Sequence, residues 1–324
     1  MPVYAHTMVT ETEDDDVFEL PTSRDEQLAL LADAVLGVAT TATMVTLPWL
    51  GSPPHEGSAA AGVLQQQPHW ERPALSPAPL AESLRNINLA LLSGHDHLHT
   101  LGGHLSTPHF LATSFFTVMR GALEAYARAY FLLGNEDPKS IMTAFLASRH
   151  VVLKYAEKDP KDDEGNTYET PLSKRSKAFM AIVKEAAVAW DIPSITMDSI
   201  TNDVHNVLTA YAAASGDDIH DTLYSDLSQP AHTHTVGYRF LITPNGPGED
   251  AAVIGLKVEL ANRFVQILLG VQTMIMHKYL TFVGVRADEV QDWREQCLRA
   301  DEIQDALHDA AQEQQKAQGE GKPA

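Results

Sequence analysis

Apolar residues recur every three to four positions along most of this chain, and strictly alternating patterns are scarce. This spacing is typical of amphipathic α-helices. It predicts a first helix from about Ser23 to Pro48, followed by helices over Leu80–Leu101, Ser106–Leu133, Pro138–Glu157, Pro171–Trp190, Thr196–Ser215, Asp217–Asp226 and Ala251–Phe282, and one from Arg286 onward. The pattern therefore predicts an all-α protein.

Interruptions in this pattern divide the chain into five predicted segments. They are a disordered acidic N-terminus (1–23), an N-terminal helix (24–50), a Pro-rich linker (51–79), a helical bundle core (80–283) and a charged C-terminal helix and tail (284–324). The linker holds six prolines, and such a length is uncommon inside a compact domain, so a flexible arm or lid is expected. Gly102 and Gly103 are expected to end the helix before them.

The strongly negative net charge of the chain limits which partners it can bind. The net charge of −20 argues against broad nucleic-acid binding and against docking on anionic membranes. The segment 139–184 is the exception: it holds nine of the 23 basic residues and six of the 43 acidic ones, so it carries +3. Either this segment binds an anionic ligand or it is a solvated helix and loop of mixed charge.

Other features predict a cytoplasmic protein. The single cysteine, Cys297, excludes an internal disulfide. The acidic start lacks the basic and apolar regions of a signal peptide. The apolar runs Leu36–Leu50 and Phe264–Met276 are shorter than the ~20 residues needed to span a bilayer.

One predicted helix carries three charges on an otherwise apolar surface. Arg120, Glu124 and Arg128 are spaced i, i+4, i+8 and therefore share one stripe. Buried charges are costly without partners, so partners are expected. Two interpretations stay open: the arginines bind a phosphate or carboxylate with their planar forks, or the three residues form an internal salt-bridge network that fixes helix packing.

A second candidate cluster lies around a predicted proline turn, in the sequence YSDLSQPAHTH. It places the Tyr224 phenol, the Ser228 hydroxyl and the His232 imidazole within eleven residues. A histidine beside a turn can transfer protons near neutral pH, bind a metal or cap a helix. The alternative is structural, with Ser228 capping a helix and His232 filling a polar hole.

A third cluster, His95, His97 and His99, is a candidate metal site. His95 and His99 share a helix face, as two metal ligands would, but no Glu-x-x-His pair completes a di-iron site. The chain also lacks a phosphate loop, a dinucleotide-binding glycine motif, G-x-S-x-G and H-E-x-x-H. No cofactor and no metal are expected.

Three short stretches resemble the HEPN-like all-α bacterial proteins, an uncharacterised actinobacterial group akin to abortive-infection proteins. They are HDHL at 95–98, RGALEAYAR at 120–128 and YSDLSQPAH at 224–232. The likeness covers roughly residues 80–283. It implies an HEPN-like helical bundle with an N-terminal arm and a C-terminal extension helix.

The resemblance also implies a chemistry. HEPN ribonucleases pair an arginine with a histidine four to six residues later, usually across a dimer interface, and cleave RNA without metal. No arginine precedes a histidine at that spacing here, so a site would assemble from Arg120 or Arg128 and His232. The candidate catalytic residues are Arg120, Glu124, Arg128, Tyr224, Ser228 and His232.

Three functions follow from these patterns. The first is a metal-independent ribonuclease of a defence or toxin-type system, and the alternative is a non-catalytic helical module for dimerisation or protein interaction. A metal-dependent helical oxidase is a distant third. The expected partners are a second copy of the chain and a protein bound through the helix 286–311. RNA is disfavoured by the net charge, and no membrane association is expected.

Overall fold

The computed structural model describes residues 20–21, 23–107, 112–161, 164–192, 195, 200–216, 223–231, 242–244, 252–254 and 256–320. Within these residues the fold is all-α, which confirms the predicted class. The helices are α1 (Arg24–Thr46), α2 (Ala59–Gln65), α3 (Gln67–Trp70), α4 (Pro79–Leu105), α5 (Ala112–Leu133), α6 (Pro138–Ala156), α7 (Pro171–Ala189), α8 (Ile200–Ser215), α9 (Leu223–Ala231), α10 (Val258–Val283) and α11 (Gln291–Glu320). Short 3₁₀ turns cover Leu47–Leu50 and Ala287–Val290.

One small antiparallel hairpin accompanies the helices. Its strands are β1 (Ile242–Pro244) and β2 (Ala252–Ile254), with Thr243 opposite Val253. The sequence pattern placed Ala252–Ile254 inside a long helix, and the structure corrects this, because α10 begins only at Val258. The predicted disordered N-terminus lies outside the described residues apart from its last few positions.

Several helices begin and end at the signals that the sequence carries. The Ser23 hydroxyl accepts a hydrogen bond from the Glu26 amide and caps α1, as its capping-box sequence predicts. Asp137 caps α6 and Thr170 caps α7 in the same way. Gly284 ends α10 with a φ of 83°, a left-handed conformation that costs glycine little.

The core is built around α4 and α5, which pack on each other, while α1 lies against both α4 and α11. The prediction that Gly102 and Gly103 end a helix is wrong, because α4 continues through both to Leu105. A Cβ at Gly102 would lie 2.5 Å from Leu36 Cγ and 3.2 Å from the Ala32 carbonyl oxygen. The glycine therefore allows α1 and α4 to approach closely.

The segment 51–79 is a packed part of the fold and differs from the predicted linker. It contains α2 and α3, and its His55 amide donates to the Val283 carbonyl at 3.1 Å. The Gln67 side chain accepts hydrogen bonds from the first amides of α4, at 3.0 and 3.2 Å. Buried Trp70 packs edge-on against Trp190, with ring centroids 5.4 Å apart. Two of its six prolines, Pro68 and Pro79, lie in the first turns of α3 and α4, where the missing amide is tolerated.

The C-terminal helix buries its apolar stripe inside the chain's own fold. The stripe residues Val290, Trp293, Ala300, Ile303 and Leu307 are buried, and α11 packs against α1 and α10. The helix also extends to Glu320, past residue 312, where disorder was predicted. A protein partner for 286–311 stays a prediction, and it would have to use the opposite face of this helix.

Among the described residues, one helical stretch, Arg24–Leu50, is long and apolar enough to cross a membrane. In this fold its α1 part buries Leu31, Val35 and Val38 beside α4 and α11. The core helix of a soluble protein passes the same test, so a cytoplasmic location stays a prediction.

Candidate functional site

The charged stripe of α5, formed by Arg120, Glu124 and Arg128, lies on the side of the helix that packs against α8 and α9. Helix α5 packs against α8 and α9, and its apolar residues Phe115, Leu123 and Tyr126 are buried. The side chains of Arg120, Glu124 and Arg128 keep between 23% and 28% of their surface exposed. The stripe therefore lies at the edge of the core, where charge is partly solvated.

Glu124 is shared by two donors. The Arg120 Nε donates to its Oε1 at 2.7 Å, and the hydroxyl of buried Tyr224 donates to the same oxygen at 2.5 Å. The Arg120 guanidinium also lies 5.3 Å from the centre of the Tyr224 ring. Hydrogen bonds to a charged acceptor are the strong ones, so this triad ties α9 to α5.

Within the Arg120–Glu124–Tyr224 triad, burial and hydrogen bonding favour a neutral Tyr224 phenol and a charged Arg120 guanidinium. Burial raises the pKa of Tyr224, and its hydrogen bond to Glu124 raises it further. Partial burial opposes the charge of Arg120, but the hydrogen bond and negative charge of Glu124 outweigh it and raise the pKa of Arg120. The phenol therefore stays neutral and the guanidinium charged across the physiological range.

The predicted proline turn is a helix in the structure, which corrects that expectation. Helix α9 runs from Leu223 through Pro230 to Ala231, and the Ser228 hydroxyl donates to the Tyr224 carbonyl at 2.7 Å within it. Ser228 therefore bonds back along its own helix and does not cap it. His232 lies outside the described residues.

Two residues of α8 that the sequence does not mark as site residues lie beside the stripe and its partner Tyr224. Buried Asp203 pairs with Arg128, with 3.4 Å between Oδ2 and Nη1, and the His205 ring meets the Tyr224 ring edge-on at 6.4 Å. Asp203 is an acidic residue on the apolar side of α8, beside buried Val204, Val207 and Leu208. An acid at such a position indicates a buried charge that needs a partner.

The histidine cluster divides into separate structural roles. His95 is buried, with Nδ1 2.8 Å from the Tyr126 hydroxyl and Nε2 3.3 Å from the Thr46 hydroxyl. Burial lowers the pKa of His95 to about 3. The His97 ring lies against Gly121, where a Cβ would come within 2.9 Å of it. Among the residues that the structure describes, no three His, Cys, Asp or Glu side chains are grouped to hold a metal ion.

The structure thus brings Arg120, Glu124 and Tyr224 together and places Arg128 on Asp203. Each arginine faces one carboxylate, and the phenol donates to a carboxylate already bound by arginine. Chemically this is a set of charge-assisted links between α5, α8 and α9. Such links fix helix packing whether or not the site also binds a ligand.

A second surface stands out on the hairpin formed by α6 and α7. Its side chains Val152, Tyr155 and Leu172 are 69%, 71% and 64% exposed. Lys177, on α7, forms ion pairs with Asp159 at 2.7 Å and with Glu169 at 3.2 Å, which hold the connection between the two helices against α7. This end of the hairpin, residues 149–161 and 164–177, is called the hairpin surface below.

No protein-family model, no curated protein and no solved structure matches this chain. The HEPN resemblance therefore stays a prediction.

Proposed function

We propose that this protein is a non-catalytic helical interaction module that binds an acidic segment of a protein partner through the hairpin surface. The observation that carries the proposal is the exposure of Val152, Tyr155 and Leu172 beside basic residues of the same hairpin. Val152 and Tyr155 are three residues apart on α6 and therefore share one face of it, and contiguous exposed apolar side chains mark interaction sites, whereas single ones do not.

The charge of the surface indicates the chemistry of the partner. Lys154, Lys174 and Arg175 are exposed and form no ion pair with another described residue. The stretch 149–177 that contains them holds seven basic and six acidic residues, so it carries +1 within a chain of −20. An acidic partner is repelled by most of this protein and least at these three cations, which favours its approach in one orientation.

An aromatic anchor completes the surface. The Lys158 ammonium lies 5.4 Å from the centre of the Tyr155 ring, so the ring is held beside a cation and remains exposed on its outer side. Tyrosine and arginine are enriched among residues that dominate binding energy. A peptide with alternating acidic and apolar residues suits such a surface, because it supplies both complementary charge and apolar contact.

The Arg120–Glu124–Tyr224 triad supports a non-catalytic role, because both Arg120 and Tyr224 are already bound to Glu124. Its groups contact one another, and they link α5 to α9. In a binding module such a network serves to hold the helices in one arrangement. The same protein would then present the hairpin surface on a stable scaffold.

The test is a fluorescence-anisotropy titration with a labelled synthetic peptide of alternating glutamate and phenylalanine residues. Tyr155→Ala and Leu172→Ala should weaken binding by about tenfold each, as expected for anchor residues. Leu298→Ala is the matched control, because Leu298 is also 64% exposed but lies on α11. Equal binding by all variants, or no binding by the wild-type protein, would contradict the proposal. Binding of a single-stranded RNA in place of the peptide would also contradict it.

A metal-independent ribonuclease is the second candidate function. It is favoured by the partial exposure of Arg120 and Arg128 on one helix, and by the position of the Tyr224 ring beside Arg120. The test is incubation of the purified protein with mixed RNA in EDTA, beside a His232→Ala variant. Cleavage that is lost in the variant supports this function, and absence of cleavage by both proteins excludes it for the free chain.

A further inference from the structure

A cavity that shares no residue with the hairpin surface or with the triad lies between the start of α10 and the C-terminal half of α11. Its volume is about 720 Å³, within the range of about 300–1,000 Å³ that is usual for small-molecule sites. Among the described residues of its wall, only Ala311 is apolar. A ligand that fits this cavity is therefore polar.

Buried Asn262, a residue of the wall, ties the two helices together. It is 4% exposed, and its Nδ2 donates to the Gln304 backbone carbonyl of α11 at 2.8 Å. On α11 itself, the His308 ring is bonded to the Gln312 side chain, with 2.7 Å between the two Nε2 atoms. The side of the cavity formed by α10 is thus held at a fixed position relative to the side formed by α11.

The opposite charges of Glu259 and Arg263 in this wall do not pair with each other. They lie four residues apart on α10, a spacing that places Cβ atoms about 5–6 Å apart and favours an ion pair. Arg120 and Glu124 have the same spacing on α5 and do pair, at 2.7 Å. Glu259 and Arg263 are exposed, and neither side chain forms an ion pair with a described residue. A carboxylate and a guanidinium are therefore both available at one side of the cavity.

Lys316 supplies a second cation from the opposite helix. It is exposed and pairs with no carboxylate in the part of the chain that the structure describes. The wall thus offers two cations and one carboxylate. Exposed Asp309 and Glu313 adjoin it on α11 without lining it, and together with the net charge of −20 they disfavour a ligand that is only an anion. A ligand that carries its own cation is disfavoured less.

We propose that this cavity binds a free α-amino acid with an acidic side chain. The α-ammonium of the ligand pairs with Glu259, and its two carboxylates pair with Arg263 and Lys316, so each charge of the wall meets an opposite charge. The planar guanidinium donates two parallel hydrogen bonds to a carboxylate, and Glu259 accepts from the ammonium. The side-chain amides of Gln266 and Gln312 supply further donors and acceptors in the same wall.

The experiment is a titration of the full chain at low ionic strength, followed by protein-observed NMR. L-Glutamate is the probe, and glutarate is the comparison, because it keeps both carboxylates and lacks the ammonium. L-Glutamate should bind saturably with a dissociation constant of about 1 mM or below. Glutarate should bind about tenfold more weakly, since it leaves Glu259 without a cation.

Two variants assign the contacts. Arg263→Gln should weaken L-glutamate binding about tenfold, because a neutral amide replaces the charged fork. Glu259→Gln should bind L-glutamate and glutarate with nearly equal affinity, since the group that distinguishes them is gone. The matched control is Glu295→Gln/Arg299→Gln, an exposed pair of the same spacing on α11 that does not line this cavity. It should retain the affinity of the wild type for both ligands.

Three results would overturn the proposal. The first is the absence of saturable L-glutamate binding by the wild-type protein. The second is equal affinity of the wild type for L-glutamate and glutarate, which would show a cationic patch that does not recognise the ammonium. The third is a Glu259→Gln variant that prefers L-glutamate as strongly as the wild type does, while far-ultraviolet circular dichroism shows both proteins folded.

Discussion

The Tyr224 hydroxyl donates a hydrogen bond of 2.5 Å to Glu124 Oε1, and it does so across 100 positions of sequence. This bond joins the short helix α9 to the central helix α5. We expect Tyr224→Phe to lower the free energy of unfolding by about 1–2 kcal/mol, because a charged acceptor loses a donor. Urea denaturation followed by circular dichroism measures the change.

A matched control for that variant is Tyr168→Phe, which removes a hydroxyl from an exposed tyrosine and should leave the unfolding midpoint unchanged. An equal midpoint for Tyr224→Phe and the wild type would show that the bond to Glu124 adds nothing to stability.

The pairing of Arg120 with Glu124 could be predicted from their i, i+4 spacing. The third member could not, because Tyr224 comes from a distant helix and only the tertiary fold brings it to Glu124. Asp203 shows the same limit. The arginines of the stripe predict an acidic partner, but sequence alone does not show which of the 43 acidic residues forms the ion pair.

Removal of Arg128 should destabilise the protein because it leaves the buried carboxylate of Asp203 without this ion pair. We expect Arg128→Leu to lower the free energy of unfolding by about 2–3 kcal/mol, somewhat less than for a fully buried pair. The double variant Arg128→Leu/Asp203→Asn should recover part of this loss. A double variant less stable than both single variants would argue against the pairing.

Acid should destabilise the protein through His95. Its pKa is about 3 in the fold and 6.5 in the unfolded chain, so the unfolded state binds the proton more readily. The stabilisation is therefore complete above pH 6.5 and falls as the pH drops towards 3, by up to about 5 kcal/mol. Unfolding free energies measured across this range should fall steeply for the wild type.

The same series in His95→Gln should be flatter, because the titrating group is gone. His308→Gln is the control, since His308 is exposed on α11. Identical pH dependence in wild type and His95→Gln would contradict the assignment of a buried neutral imidazole.

Two adjacent glycines should respond in opposite directions. Gly102→Ala should destabilise by about 1–3 kcal/mol, because its Cβ would press on Leu36 and the Ala32 carbonyl. A Cβ at Gly103 meets nothing within 4 Å, so Gly103→Ala should stabilise by about 1 kcal/mol through helix propensity. Thermal denaturation of both variants measures the pair of effects, and a shift of the same sign in both would contradict this reading of the close contact.

These glycines also show why the sequence misplaced a helix end. A glycine pair is a sound signal for a break when the chain is considered locally. Here Gly102 is retained for a close approach between α1 and α4, which depends on tertiary packing. The prolines of 51–79 have the same explanation: as a local signal they predict a free linker, whereas two of them start helices that pack on the core.

Charge reversal on the hairpin surface tests most directly whether this surface binds an acidic partner by charge. The affinity of the glutamate–phenylalanine peptide should be measured for the wild type and for Lys154→Glu/Lys174→Glu, at low and at high salt. The control is Arg294→Glu/Arg299→Glu, which reverses two exposed arginines on α11. We predict that the hairpin variant loses the peptide and gains a matching lysine–phenylalanine peptide, while the control resembles the wild type. Unchanged binding in the hairpin variant, or an equal loss in the control, would contradict the account.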